Sequence, residues 1–296
     1  MSDGTVLVTG ATGFLGRAVV SGLEARSRPV RAAVRHDPGP GAVAVGDMSR
    51  ETDWSEALRD VDTVVHCAAR AHVLKETATD PLTQFRAVNV DATEALARQA
   101  VQAGVRRLVF ISSIGVNGAE THGRPFRYDD PPHPHSPYAL SKHEAEQGLT
   151  RIAAGTGLQV VVIRPPLIIG PDPKGNLATL NRLIARGVPL PFGLATNNRR
   201  DLVSRDVLVD LIETVIDHPA AAGQTFLVSD GAAISTRVLL ERMAATQGRS
   251  LTLLPVPPAL LTLPLKLMGR SAMASQLFGD LEVDIAYTRE TLGWAP

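Results

Sequence analysis

The chain has 296 residues, 44% hydrophobic and 20% charged, and its 25 glycines and 21 prolines fall short of the share that marks a disordered chain. Its 30 basic residues balance 30 acidic ones, and aromatics make up only 4%, which leaves neither the positive field nor the stacking platforms of a nucleic-acid binder. A single cysteine, Cys67, excludes an internal disulfide and a thiolate zinc site. The start, MSDGTVLVTG, lacks the basic region and apolar run of a signal peptide. The longest apolar stretch, Leu251 to Met268, is broken by Pro255, Pro257, Pro258, Pro264 and Lys266 and is too short for a membrane span. A cytoplasmic protein with neither nucleic acid nor membrane as partner is expected.

In chain order, Val6 to Val8 is an apolar run that ends in a glycine-rich turn, and Phe14 to Leu23 carries helical spacing. Strands follow at Pro29 to Val34, Ala42 to Val45, Val61 to Cys67, Arg107 to Ser112 and Leu158 to Ile163, with helices at Pro81 to Ala103 and Tyr138 to Ala154. The strand runs are almost wholly apolar rather than alternating, as parallel strands covered on both faces must be. Strands alternating with helices predict an α/β, doubly wound parallel sheet. After Ile163 prolines and glycines punctuate the chain, and helices are predicted at Asn176 to Gly187, Asp206 to Ile216 and Ser235 to Thr246, with a strand at Thr225 to Val228. The division expected is a first domain over 1–165, rejoined by about 200–220, and a smaller substrate lobe from 166–199 and 221–296.

Three constellations carry chemistry. The first is Gly10-Ala11-Thr12-Gly13-Phe14-Leu15-Gly16, a G-x-x-G-x-x-G between a strand and a helix. Its glycines permit a tight turn and a close backbone approach, and the helix N-terminus offers free N–H groups to a pyrophosphate. At the end of the second strand, where an NAD site carries an acid, stands Arg35, which can pair with a 2′-phosphate and so favours NADP(H) over NAD(H). Asp47, after the third strand, can accept from an adenine amino group. The second constellation is Tyr138-x3-Lys142, which sets a phenol and an ammonium on one helix face. A phenol titrates near pH 10 on its own, and bringing it towards neutrality takes several kcal/mol of electrostatic help at about 1.4 kcal/mol per unit. The third is Ser112-Ser113, which the topology puts at the carboxyl edge of the sheet, where such folds bind ligands.

These motifs, with Gly46-Asp47-Met48, His66-Cys67-Ala68-Ala69-Arg70, Asn89-Val90, Arg164-Pro165, the run Arg200 to Asp206 and the closing Leu292-Gly293-Trp294, resemble the extended short-chain dehydrogenases/reductases. The likeness is to the NAD-dependent epimerase/dehydratase group and runs nearly end to end. It implies a Rossmann domain that holds NAD(P) through the glycine turn, Arg35, Asp47, Met48, Ala68, Ala69, Arg70, Asn89, Lys142 and Pro165. It further implies Tyr138 as acid/base, Lys142 on the nicotinamide ribose, and Ser113 hydrogen-bonded to the reacting oxygen. Asn176 and Arg200 match residues that contact a UDP-sugar and its diphosphate, a suitable anion for a guanidinium fork. The resemblance also implies a homodimer through a four-helix bundle made by the helices at 81–103 and after Tyr138; packing within one subunit is the alternative.

Departures narrow the reading. Ile114-Gly115 follows the serines in place of a Thr-Asp-Glu run, which argues against sugar dehydration; Asn117 stands where many relatives have tyrosine, and a second diphosphate arginine near the C-terminus is not evident. The ending is similar to UDP-glucose 4-epimerase-like proteins and to 4-keto-reductases of UDP-N-acetyl-6-deoxyhexoses. The expectation is therefore an oxidoreductase or epimerase acting at C4 of a UDP-sugar, with an NADP(H)-dependent reductase as the alternative and a non-catalytic dinucleotide-binding scaffold as the distant one. His133 and His135 sit in a proline loop without metal-ligand spacing, so no metal is expected. Cys67, at the end of an apolar strand, is expected to be buried and inert.

Overall fold

A computed structural model of the chain describes residues 4–71, 80–173, 175–267 and 271–296. The first half alternates as expected: β1 (Thr5–Thr9), α1 (Phe14–Ala25), β2 (Val30–Val34), β3 (Ala42–Ala44), β4 (Val61–His66), α2 (Pro81–Arg86), α3 (Ala92–Gln102), β5 (Arg107–Ile111), α4 (Pro137–Ala153) and β6 (Gln159–Arg164). The second half holds β7 (Leu167–Ile169), α5 (Gly175–Ala185), β8 (Leu202–Ser204), α6 (Arg205–Asp217), β9 (Thr225–Leu227), α7 (Thr236–Thr246), α8 (Pro258–Leu267), α9 (Ser271–Phe278) and α10 (Ala286–Leu292). Seven parallel strands form one sheet in the order β3-β2-β1-β4-β5-β6-β9, and β7 and β8 form a separate parallel pair. The chain reverses its winding between β1 and β4, the crevice where such sheets receive ligands.

Alternation along each strand feeds a core on both faces. Val6 and Val8 pack with Val19 and Leu23 of α1 and Leu208 and Ile212 of α6. Leu7 points the other way, with Leu108, towards Leu96 of α3 and Leu149 of α4. Each such side chain contributes about 1.5–3 kcal/mol on full burial. Helix starts follow local chemistry: Ser136 accepts from the Ala139 amide with Pro137 in the first turn of α4, and Ser204 and Ser235 cap α6 and α7 in the same way.

Two expectations need correction. The stretch from Pro81 to Ala103 is not one α-helix; Ala87–Asp91 between α2 and α3 is π-helical. The wider turn accompanies a buried polar side chain, Asn89, which is 1% exposed and bonded to groups outside its helix. The second correction concerns the region from residue 221. Its β9 is the seventh strand of the main sheet, paired with β6, and Leu292 and Trp294 close the same core. Phe226, fully buried, makes that placement favourable. What remains apart is a small core of Ile184, Leu190, Phe192 and Leu240 between α5 and α7, reached by Phe278 from α9. The apolar stretch begun at Leu251 yields α8, and Met268 lies outside the described residues. Among the described residues no helix is long and apolar enough to cross a membrane.

Arg107, 2% exposed, anchors the sheet to α6. Its guanidinium donates to the carbonyls of Val215, Ile216 and His218 at 2.6, 2.9 and 3.0 Å and to Gln159 Oε1 at 2.6 Å. A cation at a helix C-terminus meets the negative end of the dipole, and burial lowers its pKa below the ordinary arginine value. Replacing Arg107 by Met removes one donor from each of three carbonyls, of which Ile216 keeps Arg106 and His218 keeps the Ala221 amide, and should lower the unfolding free energy by about 2–4 kcal/mol, read by urea denaturation.

Candidate active site

Parallel strands deliver the turns after β1, β2, β4, β5 and β6 to one edge of the sheet. The glycine turn lies there in a form only glycine allows. Gly10 has φ +65°, and a Cβ on it would stand 2.8 Å from the Ala68 backbone. A Cβ on Gly16 would stand 2.2 Å from the Gly10 carbonyl oxygen, and the Gly13 amide donates to that oxygen at 2.8 Å. Helix α1 begins without a side-chain cap and without an acid in its first turn. Its N–H groups and positive dipole end thus remain available to an anion. Thr12 is exposed at the tip and Phe14 half-buried, its ring facing the Arg205 guanidinium at 5.4 Å, whereas Leu15 is core. These residues fit a dinucleotide pyrophosphate, with Leu15 able to contribute only backbone.

Arg35 and Asp47 come together as an ion pair at 2.9 Å, both side chains largely exposed. The residue expected to take a 2′-phosphate and the one expected to meet adenine thus neutralise each other. Met48 packs against the core beneath them.

At the end of β5, the Ser113 turn meets the first turn of α4, which carries Tyr138, and Lys142 lies against Phe110. The Ser113 hydroxyl accepts from the Gly115 amide at 3.1 Å, and a Cβ on Gly115 would sit 3.3 Å from both Ser113 Oγ and the Ala139 Cβ. The first turn of α4 is therefore pressed directly onto the Ser113 turn. Tyr138, partly buried, meets Phe85 edge-on at 6.0 Å. Burial pushes its phenol up to about 12. The lowered phenol expected from the Tyr-x3-Lys spacing is not produced by the protein's own groups, because burial acts on it alone. Lys142 is 1% exposed with Nζ 3.9 Å from the Phe110 ring centroid. Burial pulls its ammonium down to about 7, against the charge of Glu146 one turn further on.

Sequence reasoning missed Glu146, although it extends the Tyr138–Lys142 spacing by four. Its carboxylate accepts from Arg164 Nε at 3.0 Å and Nη2 at 2.6 Å, and from the Ser112 hydroxyl. Burial alone would raise this carboxyl, but donors from His143, Arg164 and Ser112 bring it below the ordinary range. Arg164 also donates to Asn117 Oδ1 at 3.0 Å, and Asn117 donates to the Arg127 carbonyl at 2.8 Å. Asn117, the departure from tyrosine, is thus a partner of the buried arginine. The Pro165 carbonyl accepts from the Ile114 amide at 3.0 Å, joining the β6 end to the serine turn.

Asn89 ties the π segment into this frame. It accepts from the Arg70 amide at 2.8 Å and donates to the Arg70 carbonyl and to Ser141 Oγ at 3.1 and 3.0 Å. Its side chain is therefore consumed in bracing the loop after β4 against α4, while Ala69 stays exposed. Cys67 is partly buried rather than buried, and its thiol is pushed up to about 12, so it is inert at neutral pH.

Asn176 and Arg200, expected on the nucleotide-sugar, do not touch each other but meet the same segment. Asn176, exposed, donates to Gln276 Oε1 at 3.1 Å; Arg200 donates to the carbonyls of Ser275 and Gly279 at 3.1 and 2.9 Å. Arg200 thus closes the C-terminal end of α9, and burial lowers its pKa.

The Lys142 shift implies a pH dependence of stability. A lysine lowered to about 7 from 10.5 has already lost its proton in the folded chain between those values, so unfolding takes one up. Stability should rise with pH across that window, and Lys142→Met should flatten the rise, measured by urea unfolding from neutral to mildly alkaline pH.

Comparison with known proteins agrees with this fold. The model of the NAD dependent epimerase/dehydratase family matches residues 6–229. A UDP-glucose 4-epimerase of Vibrio cholerae is 46% identical over 297 residues, covering 99% of this chain and 90% of that protein. The structure of MoeE5 in complex with UDP-glucose and NAD is 27% identical and superposes with a TM-score of 0.79 over 99% of this chain and 93% of its own. A UDP-N-acetylglucosamine 4-epimerase from Bacillus cereus, 19% identical, shares the fold at a TM-score of 0.80 over 99% and 93% of the two chains. The chain, with its Rossmann-type sheet, glycine turn and Ser113–Tyr138–Lys142 constellation, belongs to the NAD-dependent epimerase/dehydratase family of short-chain dehydrogenases/reductases.

Proposed function

We propose that this protein is an NAD-dependent 4-epimerase of a UDP-sugar. The observation that carries the reading is the packing of the first turn of α4, which bears Tyr138 and one turn on Lys142, against the Ser113 turn and Phe110, at the sheet edge that also bears the uncapped glycine turn. Tyr138 takes the proton of the C4 hydroxyl and returns it after the sugar is re-presented, while Ser113 hydrogen-bonds the reacting oxygen. Lys142, held near its midpoint at neutral pH, orients a ribose and lends part of a positive charge to the phenol. Bound NAD supplies the hydride acceptor and donor at C4 and, when oxidised, a positive ring that favours the phenolate. Bringing Tyr138 from about 12 to near neutrality asks for roughly 7 kcal/mol from those two positive groups together.

NAD is preferred over NADP because Asp47 holds the Arg35 guanidinium and would set a carboxylate against the added 2′-phosphate. The residues of 166–199 and of α7 to α9 supply the sugar side of the cleft, with Asn176 and Arg200 turning from α9 to the nucleotide diphosphate. A homodimer through α2–α3 and α4 goes with this reading. The outer faces of those helices carry Arg86–Glu144, Arg98–Glu94 and Arg151–Glu94 pairs, charges ready to exchange partners across a symmetric contact.

Incubation with UDP-glucose or UDP-N-acetylglucosamine and NAD should interconvert the C4 isomers with no net change at 340 nm. Stoichiometric loss of NADPH on a 4-keto sugar would assign a reductase instead. Tyr138→Phe should lower kcat about 10²–10⁴-fold with dinucleotide affinity nearly unchanged; unaltered kcat would remove Tyr138 from the chemistry, and dinucleotide binding with no turnover of any UDP-sugar by the unaltered chain would point to a non-catalytic scaffold. Titration with both dinucleotides should show tighter NAD binding, and Asp47→Asn should narrow the gap.

A further inference from the structure

The loop that runs from Gly118 to the start of α4 carries histidines that the reading above does not use. His135 stands immediately before Ser136, the cap of α4, and three residues ahead of Tyr138. The residue is exposed as a whole, but one edge of its ring is pushed into the turn after β5. A Cβ on Gly115 would lie 3.2 Å from His135 Cε1 and 3.3 Å from both Ser113 Oγ and Ala139 Cβ. Imidazole, hydroxyl and the first turn of α4 therefore surround one point that a side chain at position 115 would have filled. The fit is repeated at Gly118, where a Cβ would stand 2.7 Å from Phe126 Cζ, and the His133 amide donates to the Val116 carbonyl at 2.8 Å.

The turn needs this support from outside. Among the described residues the Ser113 side chain makes one hydrogen bond, from the Gly115 amide at 3.1 Å, so the hydroxyl is placed by that amide. Glycine restricts its own backbone least of all residues, and the 3₁₀ turn over Ile114–Val116 is short. The His135 ring supplies contact, and the Gly115 and Gly118 carbonyls face it within hydrogen-bonding reach. Burial of the inserted edge outweighs those carbonyls and lowers the ring's pKa, with His133 adding to the effect. At neutral pH the imidazole is therefore uncharged and has one N–H to give them.

We propose that His135 is a positioning residue: its ring takes the place of the side chain that Gly115 lacks, clamps the turn from Gly115 to Gly118, and so aims the Ser113 hydroxyl. That the aim matters for turnover rests on the role of Ser113 in the function proposed above; the clamp itself does not.

The test reads the clamp and the turnover separately. Amide hydrogen exchange at Gly115, whose N–H is bonded to Ser113 Oγ, should quicken about tenfold or more in His135→Ala, with the amides of β5 unchanged. With UDP-glucose and NAD, the same variant should lose about 10–100-fold in kcat while KM and NAD affinity change by less than about twofold. At least one of His135→Asn and His135→Gln, which keep an N–H donor near the place of Nδ1 or Nε2, should recover most of both losses. Should His135→Ala misfold, His135→Leu fills the space without a donor and should show the same two losses. Unchanged exchange at Gly115 would overturn the clamp whatever the protein catalyses, and faster exchange with unaltered kcat would overturn its part in the reaction. So would a parallel loss of kcat, NAD affinity and β5 protection without rescue, the mark of general loosening. No turnover of any UDP-sugar by the unaltered chain would strike the function proposed above, and the exchange result would then decide the clamp alone.

Discussion

A charged amine enclosed in an apolar core is unfavourable unless something holds it in place, and the site is organised around that constraint. Lys142 lies over the Phe110 ring, almost without solvent, and the nearby Glu146 is the anion that supports its charge. Glu146 is itself buried and is kept ionised by Arg164 and Ser112. Arg164 turns in part to Asn117. Breaking such a pair by removing one member leaves an uncompensated buried charge, which costs about 3–5 kcal/mol. The consequence is positional: α4, the end of β6 and the serine turn after β5 cannot move independently. The lysine, tyrosine and serine are held in register by a network that need not touch a substrate.

The same economy of space governs the other half of the cleft. Gly10 and Gly16 bring the start of α1 within contact of the β4 end, and the helix enters with its amides uncapped. Asn89 then joins the loop after β4 to α4 through Ser141. A dinucleotide laid along this edge would run from the glycine turn to Lys142 over backbone already fixed on both sides. Preorganisation of this kind reduces the ordering cost of binding. Tyr138 is the exception, since its surroundings oppose ionisation until positive charge arrives. Under the proposed function, that arrangement would keep the phenol protonated until a cofactor is in place.

Much of the architecture was legible in the residues. Runs such as Leu108-Val109-Phe110-Ile111 had to be strands covered on both faces, and Ser136-Pro137 announced the start of α4. The glycine spacing announced a tight strand-to-helix turn for the same reason the structure shows: a Cβ would collide. The break at Ala87–Asp91 was not legible, because a π turn leaves no periodic signature shorter than the helix it interrupts and depends on where Asn89 finds partners. Nor was the membership of β9 in the main sheet, since three residues after a helix and a short turn carry no information about which edge they will pair with.

What the amino-acid sequence determined by itself is local: which segments are strand or helix, which turn requires glycine, and which helix carries a phenol and an ammonium on one face. These follow from short-range sterics and from periodicities of two and 3.6 residues. Only the tertiary structure decided the environment of those groups. It set Lys142 near 7 and Tyr138 near 12, paired Arg35 with Asp47, drew Glu146 and Arg164 together, and turned Asn176 and Arg200 towards α9. Charge states and pairings depend on distance and solvent exclusion between residues far apart in the chain, quantities that exist only once the layers have closed.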